Sequence, residues 1–129
     1  MRATVLTAGP GPAADAANRL AAALGDTPDL VVVGTAVSGG APDPAVVAGL
    51  ERTDLSDTVV FLVSVGHWPA ERETADRALR PLVTAAGGRV PAPTLHLLGD
   101  DPIAVAAFAR YWRPVACEWR PVAVESSRR

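Results

Sequence analysis

The run TVVFLVSVG, Thr58 to Gly66, constrains this chain more than any other stretch. It is continuously apolar and β-branched with no polar alternation, which is the pattern of a strand buried on both faces. Such strands belong to parallel sheets covered by helices on either side. A second run of the same kind starts with DLVVV at Asp29 and continues to Val37, bounded by Ser38 to Pro42. Arg2 to Ala8 (RATVLTA) and Pro93 to Leu98 (PTLHLL) read as two further strands. Helical patterns lie between them. Ala13 to Leu24 places Ala13, Ala16, Ala17, Leu20, Ala21 and Leu24 on one face, with Pro12 in the first turn and Gly25 as the stop. Asp43 and Pro44 open a short helix ending near Arg52. Glu71 and Glu73 favour the first turn of a helix running towards Gly87, with a kink expected near Arg77 because Pro81 removes a donor. Asp101 and Pro102 start a last helix carrying Ile103, Val105, Ala106, Phe108, Ala109 and Trp112, expected to end at Pro114. The alternating order predicts a three-layer α/β domain with a parallel sheet of four to five strands and right-handed crossovers.

At 129 residues the chain is long enough for one domain and too short for two. The reading divides it into a domain over 1–113 and a C-terminal tail over 114–129. Hydrophobic residues make up 49% of the chain and aromatics only 5%, so the core must be built from Val, Leu and Ala. The formal charge of -2 and the scattered arginines leave no electrostatic footprint for nucleic acid. Cys117 is the single cysteine, which excludes a disulfide framework and a CxxC redox motif. The N-terminal apolar run is too short for a signal peptide or a membrane span, and a cytoplasmic location is the resulting expectation.

In a parallel sheet, ligands bind beyond the carboxyl ends of the strands, where the topology switches. That selects the loops Thr7 to Pro12, Thr35 to Pro42, Ser64 to Pro69 and Gly99 to Asp101. Trp68 offers an aromatic face there, and His67 a group that exchanges protons near neutral pH; the bland reading makes Trp68 a packing staple and His67 a solvated loop residue. Ser64, His67 and Asp100 do not read as a hydrolase triad, since VSVG lacks the GxSxG elbow. Asp101 reads as an N-cap, Asp100 as a turn residue, and His96 as a sheet histidine satisfied by its neighbours. No metal site is expected.

The stretches DLVVVGTAVSGGAPDPAVVAGLE, LSDTVVFLVSVG and ALRPLVTAAGGRVPAP resemble the flavodoxin-like superfamily, including flavodoxin domains and NADPH-dependent FMN reductases, over roughly residues 29–98. The resemblance implies a flavodoxin-like three-layer sheet that lacks the usual second strand and helix, since only Asp26 to Pro28 separate Gly25 from Asp29. It implies FMN as cofactor and electron transfer or quinone or flavin reduction as activity. It places the phosphate at Thr7, Ala8, Gly9 and Gly11. The ring falls between Thr35, Ala36, Val37, Ser38 and Gly39 on one side and Ser64, Val65, Gly66 and Trp68 on the other, with His67 as the catalytic candidate. The phosphate loop departs from the family: TAGPGPAA has no hydroxyl after Thr7, no nearby cation before Arg19, and no N–H at Pro10 or Pro12.

With the second strand missing and all crossovers right-handed, the first three helices are expected on one face and the last helix alone on the other. The tail repeats WRPVA at Trp112 and Trp119. An alternative function follows: a flavin-free binding or assembly module, acting through an uncovered sheet face and through the Trp-rich C-terminal segment as a homodimer or partner surface.

Overall fold

The computed structural model describes residues 4–25 and 29–118. Strand β1 spans Thr4–Leu6, helix α1 Pro12–Leu24, strand β2 Leu30–Ser38, strand β3 Ala41–Pro42, helix α2 Pro44–Arg52, strand β4 Val59–Val65, helix α3 Glu71–Ala85, strand β5 Leu95–Leu97 and helix α4 Pro102–Glu118. Strands β1, β2, β4 and β5 lie side by side in that order, all parallel, and β3 turns back antiparallel on the end of β2. The expected parallel sheet without a further strand and helix after α1 is therefore present.

Side chains alternate strictly across the sheet, as the period of two requires. Leu30 and Val32 of β2, Phe61 and Val63 of β4 and Leu97 of β5 pack into one core with Leu20 and Leu24 of α1 and Val105 and Ala109 of α4. Val33, Val60 and Leu62 pack on the opposite face with Val46 and Leu50 of α2 and Leu79 and Val83 of α3. Every residue of β4 is buried, which explains its unbroken apolar run.

This arrangement corrects the expectation that the first three helices share a face. Helices α1 and α4 cover one side of the sheet and α2 and α3 the other, so among the described residues both sheet faces carry helices. The strands advance in one direction, so the crossovers through α2 and α3 have the same hand. The crossover through α1 steps the same way over the opposite face and has the other hand. If the former pair take the right-handed form of about 98% of such units, β1–α1–β2 is left-handed. The cause is coverage: three helices crowded onto one side would leave the apolar even face of β2 and odd face of β4 under α4 alone.

The contact that permits it is Gly34, in the middle of β2. A Cβ there would lie 2.8 Å from the Ala13 carbonyl oxygen, 2.8 Å from the Ala17 Cβ and 3.3 Å from Thr7 Cγ2. Only a residue without a side chain lets the first turns of α1, with their run of alanines, sit on the strand. Two local expectations also change. Pro114 does not end α4, which continues to Glu118; Pro114 is exposed, so the loss of its N–H is met on the solvent side. The predicted fourth strand is shortened to Leu95–Leu97. The tail beyond Glu118 lies outside the described residues.

Gly34→Ala should force α1 off the sheet and lower the stability of the domain by about 1–3 kcal/mol, the range for overpacking a filled contact. Urea denaturation of the two proteins checks this, and equal midpoints would show that the contact is not tight.

Candidate functional site

Adjacent parallel strands whose following helices go to opposite faces leave a crevice between their carboxyl ends. β1 and β2 are such a pair, because α1 and α2 lie on opposite sides. A cavity of about 190 Å³ opens there, lined by Thr7 to Ala14, by Gly34, Thr35 and Ala36, and by Asp43. Of the residues singled out from sequence, Thr7, Ala8, Gly9, Gly11, Thr35 and Ala36 all border it.

Helix α1 points its N-terminus into this crevice. Gly11 is its N-cap with φ of +147°, no side chain caps it, and Pro12 occupies its first position. The Asp15 N–H is used by the Gly11 carbonyl at 2.9 Å. Among the described residues that line the cavity, Asp43 is the one ionisable residue. Asp43 caps α2 by accepting from the Ala45 N–H at 2.9 Å.

The Thr35 hydroxyl is fully engaged. It accepts from the Asp43 N–H at 2.9 Å and donates to the Ala36 carbonyl at 2.9 Å, and the residue is buried. Past Ala36 the expected loop is a hairpin. Val37 pairs with Pro42 and Ser38 with Ala41, and Gly39 and Gly40 form the turn at φ of +60° and +79°. Two successive positive φ angles are what a tight type I′ hairpin demands, and the Gly-Gly pair supplies them without strain. Val37 faces inward and is buried, whereas Ser38 and Gly39 sit exposed at the hairpin tip.

The loop after β4 is organised by Glu71. Its Oε1 accepts from the His67 N–H at 2.7 Å and the Trp68 N–H at 2.9 Å. Gly66 donates its N–H to the Leu97 carbonyl at 3.0 Å. A Cβ at Gly66 would overlap Glu71 Oε1 and come within 3.1 Å of His96 Cε1, so glycine is needed there. Ser64 and Val65 are buried, and Ser64 Oγ lies 2.6 Å from Nδ1 of His96, whose Nε2 is 2.9 Å from the Trp68 carbonyl oxygen. A carbonyl can only accept, so Nε2 donates to Trp68, and the tautomer protonated there leaves Nδ1 to accept from the Ser64 hydroxyl. His96 is thus the satisfied sheet histidine expected, and it, not His67, is the partner of Ser64. Asp76 fixes the approach to this strand: its carboxylate accepts from Arg80 Nε at 3.0 Å, Arg80 Nη2 at 2.8 Å and Thr94 Oγ1 at 2.6 Å, while Arg80 also donates to the Ala92 carbonyl at 3.1 Å.

What remains open at this edge is aromatic. Trp68 is 68% exposed, which sets aside the packing-staple reading of its indole, and His67 beside it is exposed as well. The loop-holding role of Glu71 is what sequence reasoning missed. The signal for Glu71 was its place three residues after Trp68 at a helix start, which lets a carboxylate reach back to free N–H groups. Among the described residues, no group of His, Cys, Asp and Glu could hold a metal ion, and no helix is long and apolar enough to cross a membrane.

No protein-family model matches the sequence and no curated protein matches it. Solved structures do. The protein resembles oxidised flavodoxin 2 from Bacillus cereus with a TM-score of 0.69 and 14% identity, over 89% of this chain and 99% of that one. It resembles a Fusobacterium nucleatum flavodoxin bound to flavin mononucleotide with a TM-score of 0.62 and 14% identity, over 90% and 99%. A flavodoxin, WrbA-like protein from Agrobacterium tumefaciens gives a TM-score of 0.63 and 15% identity, over 90% and 98%. The protein therefore has a flavodoxin-like fold, and at these identities the likeness is one of fold.

The residues of the crevice do not fit the phosphate of FMN. Two of the loop's N–H donors are lost at Pro10 and Pro12, none of the described residues lining the cavity is cationic, and the negative charge of Asp43 beside it repels a dianion.

The Trp68 N–H above all holds the Glu71 carboxyl below its ordinary value of 4.5; the His67 N–H and the two nearby imidazoles act the same way, and burial opposes them. A carboxyl lowered on folding contributes stability above its unfolded pKa and loses it as pH falls through the folded one. Amide exchange protection at His67 and Trp68 should persist down to about pH 4.5 and disappear below it, and Glu71→Gln should reduce it at neutral pH. Protection that ignores both changes would show that the carboxylate does not hold the loop.

Proposed function

We propose that the protein is a flavodoxin-type ligand-binding domain that takes an uncharged planar redox molecule, a flavin without its phosphate or a quinone, at the carboxyl edge of the sheet. Its activity is electron transfer or the reduction of quinones or flavins. The observation that carries this reading is the crevice between β1 and β2, bordered by an anionic rather than a cationic side chain, beside an edge on which Trp68 stands exposed.

The division of labour follows from what each loop has left to offer. Thr7, Ala8, Gly9 and Gly11 supply main-chain contacts around the crevice, and the charge of Asp43 selects against an anionic ligand. Ala36, Ser38 and Gly39 border the ring from the hairpin side, with Thr35 and Val37 holding that hairpin from within. Gly66 and Trp68 border it from the other loop, over the buried Ser64 and Val65. Trp68 stacks on the ring, since an exposed indole gains by covering a planar π system. His67 is the proton-exchanging group beside it. A bound flavin would supply the redox chemistry; this chain's residues bind and orient it.

Titration of the purified protein with riboflavin and with FMN, followed by flavin fluorescence, tests this. Riboflavin should be quenched in a saturable way and bind at least as tightly as FMN. Asp43→Asn should improve FMN binding several-fold while leaving riboflavin unchanged, because only the phosphate feels the carboxylate. Trp68→Ala should weaken both by about tenfold, the equivalent of the ~1.4 kcal/mol of a good stacking contact. Absence of quenching by either flavin and by a quinone competitor would refute the reading.

A further inference from the structure

Helix α4 is apolar on two sides. Its inner side carries Val105, Ala109 and Ala116 into the core it shares with α1. Its outer side carries Ile103, Ala106, Ala107, Tyr111 and Pro114, all exposed and spaced three or four residues apart along one stripe of the helix. Two of the four large apolar side chains exposed among the described residues, Ile103 at 82% and Tyr111 at 73%, stand on it. An ordinary covering helix is polar on this side, so the stripe needs an explanation of its own.

The charges along the helix indicate the occupant. Asp100 and Asp101, both exposed, precede the stripe, and Arg110 and Arg113, also exposed, lie in the half of it towards Pro114; among the described residues neither arginine has an ion-pair partner. Asp101 spends one oxygen on the Ala104 N–H at 3.0 Å, and its charge remains. Between the two ends lie small alanines. A surface that is negative at one end, positive at the other and small in the middle is complementary to itself when turned end for end. The alanines let two helices approach closely. A shallow groove of about 480 Å³ beside them, lined by Ala23, Ala106, Ala109, Arg110, Arg113 and Pro114, gives a protruding side chain a place to enter.

From this we infer that the outer face of α4 is a homodimer surface, on which a second copy of this chain packs its own α4 antiparallel. Ile103 of each copy enters the groove of the other, and the Arg113 end of each helix lies against the partner's Asp100 and Asp101. A parallel pairing would set like charges together at both ends. Three turns of helix bury less than the roughly 1,200 Å² at the lower bound of standard interfaces, so the dimer is weak and depends on concentration. This surface is separate from the crevice between β1 and β2, and the inference does not rest on the ligand proposed there.

Sedimentation equilibrium of the full chain between about 1 and 100 µM reads the association directly. The wild type should pass from monomer to dimer across that range. Ile103→Asp should remain monomeric, and Arg113→Glu should weaken association by about tenfold, the scale of a lost ion pair gaining a like charge. Adding Asp100→Arg to Arg113→Glu should restore it. These side chains are exposed, so circular dichroism should show an unchanged fold. Trp119→Ala, in the tail, should associate like the wild type. A wild type that stays monomeric at about 100 µM overturns the inference, as does an Ile103→Asp variant that dimerises normally. Failure of the charge reversal to restore association, or loss of it on Trp119→Ala, would also overturn it.

Discussion

The approach of α1 to β2 at Gly34 is the constraint on which the rest of this molecule depends. The distances around its missing Cβ leave no room for even one methyl group. Because the helix can settle there, it lies on the face it shares with α4, and the sheet is covered on both sides by two helices each. Because α1 and α2 then diverge from neighbouring strands to opposite faces, a crevice forms between the ends of β1 and β2. Without a further strand and helix after α1, the opening between β1 and β2 is still there, because α1 and α2 lie on opposite faces.

The polar groups around that opening are mostly spent on the protein itself. Thr35 ties the end of β2 to the start of α2, Ser64 is held by His96, and Glu71 gathers the N–H groups of the loop after β4. Satisfied buried polar groups rigidify a site but offer little to a ligand. Among the described residues, what stays available is main chain at the α1 N-terminus, the remaining Asp43 carboxylate oxygen and the aromatic face of Trp68. That combination is the ground for proposing a planar uncharged ligand.

Much of the fold was legible from local patterns. The doubly buried strands announced themselves as unbroken apolar runs, and Asp43 followed by Pro44 marked a helix start that the structure reproduces with its capping bond. The hand of the first crossover was not legible, because it depends on how α1, Gly34 and α4 fit together and not on any segment alone. The Ser64 to His96 pair spans 32 residues and follows from the register of β4 against β5, which no local pattern encodes. The hairpin at Gly39 and Gly40 was within reach, since a Gly-Gly pair flanked by strand residues is a turn signal; the following Asp-Pro drew attention to the helix instead. Pro114 shows the limit of a breaker rule, since an exposed proline late in a well-packed helix need not end it.

Methyl-resolved nuclear Overhauser measurements test the central arrangement most directly. Contacts are expected from the Leu20 and Leu24 methyls of α1 to Val105 and Ala109 of α4, together with contacts from the Ala17 methyl to the Gly34 α-protons. Contacts from those leucines to Val46 of α2 or Leu79 of α3 would place α1 on the other face, remove the crevice between β1 and β2, and contradict this arrangement.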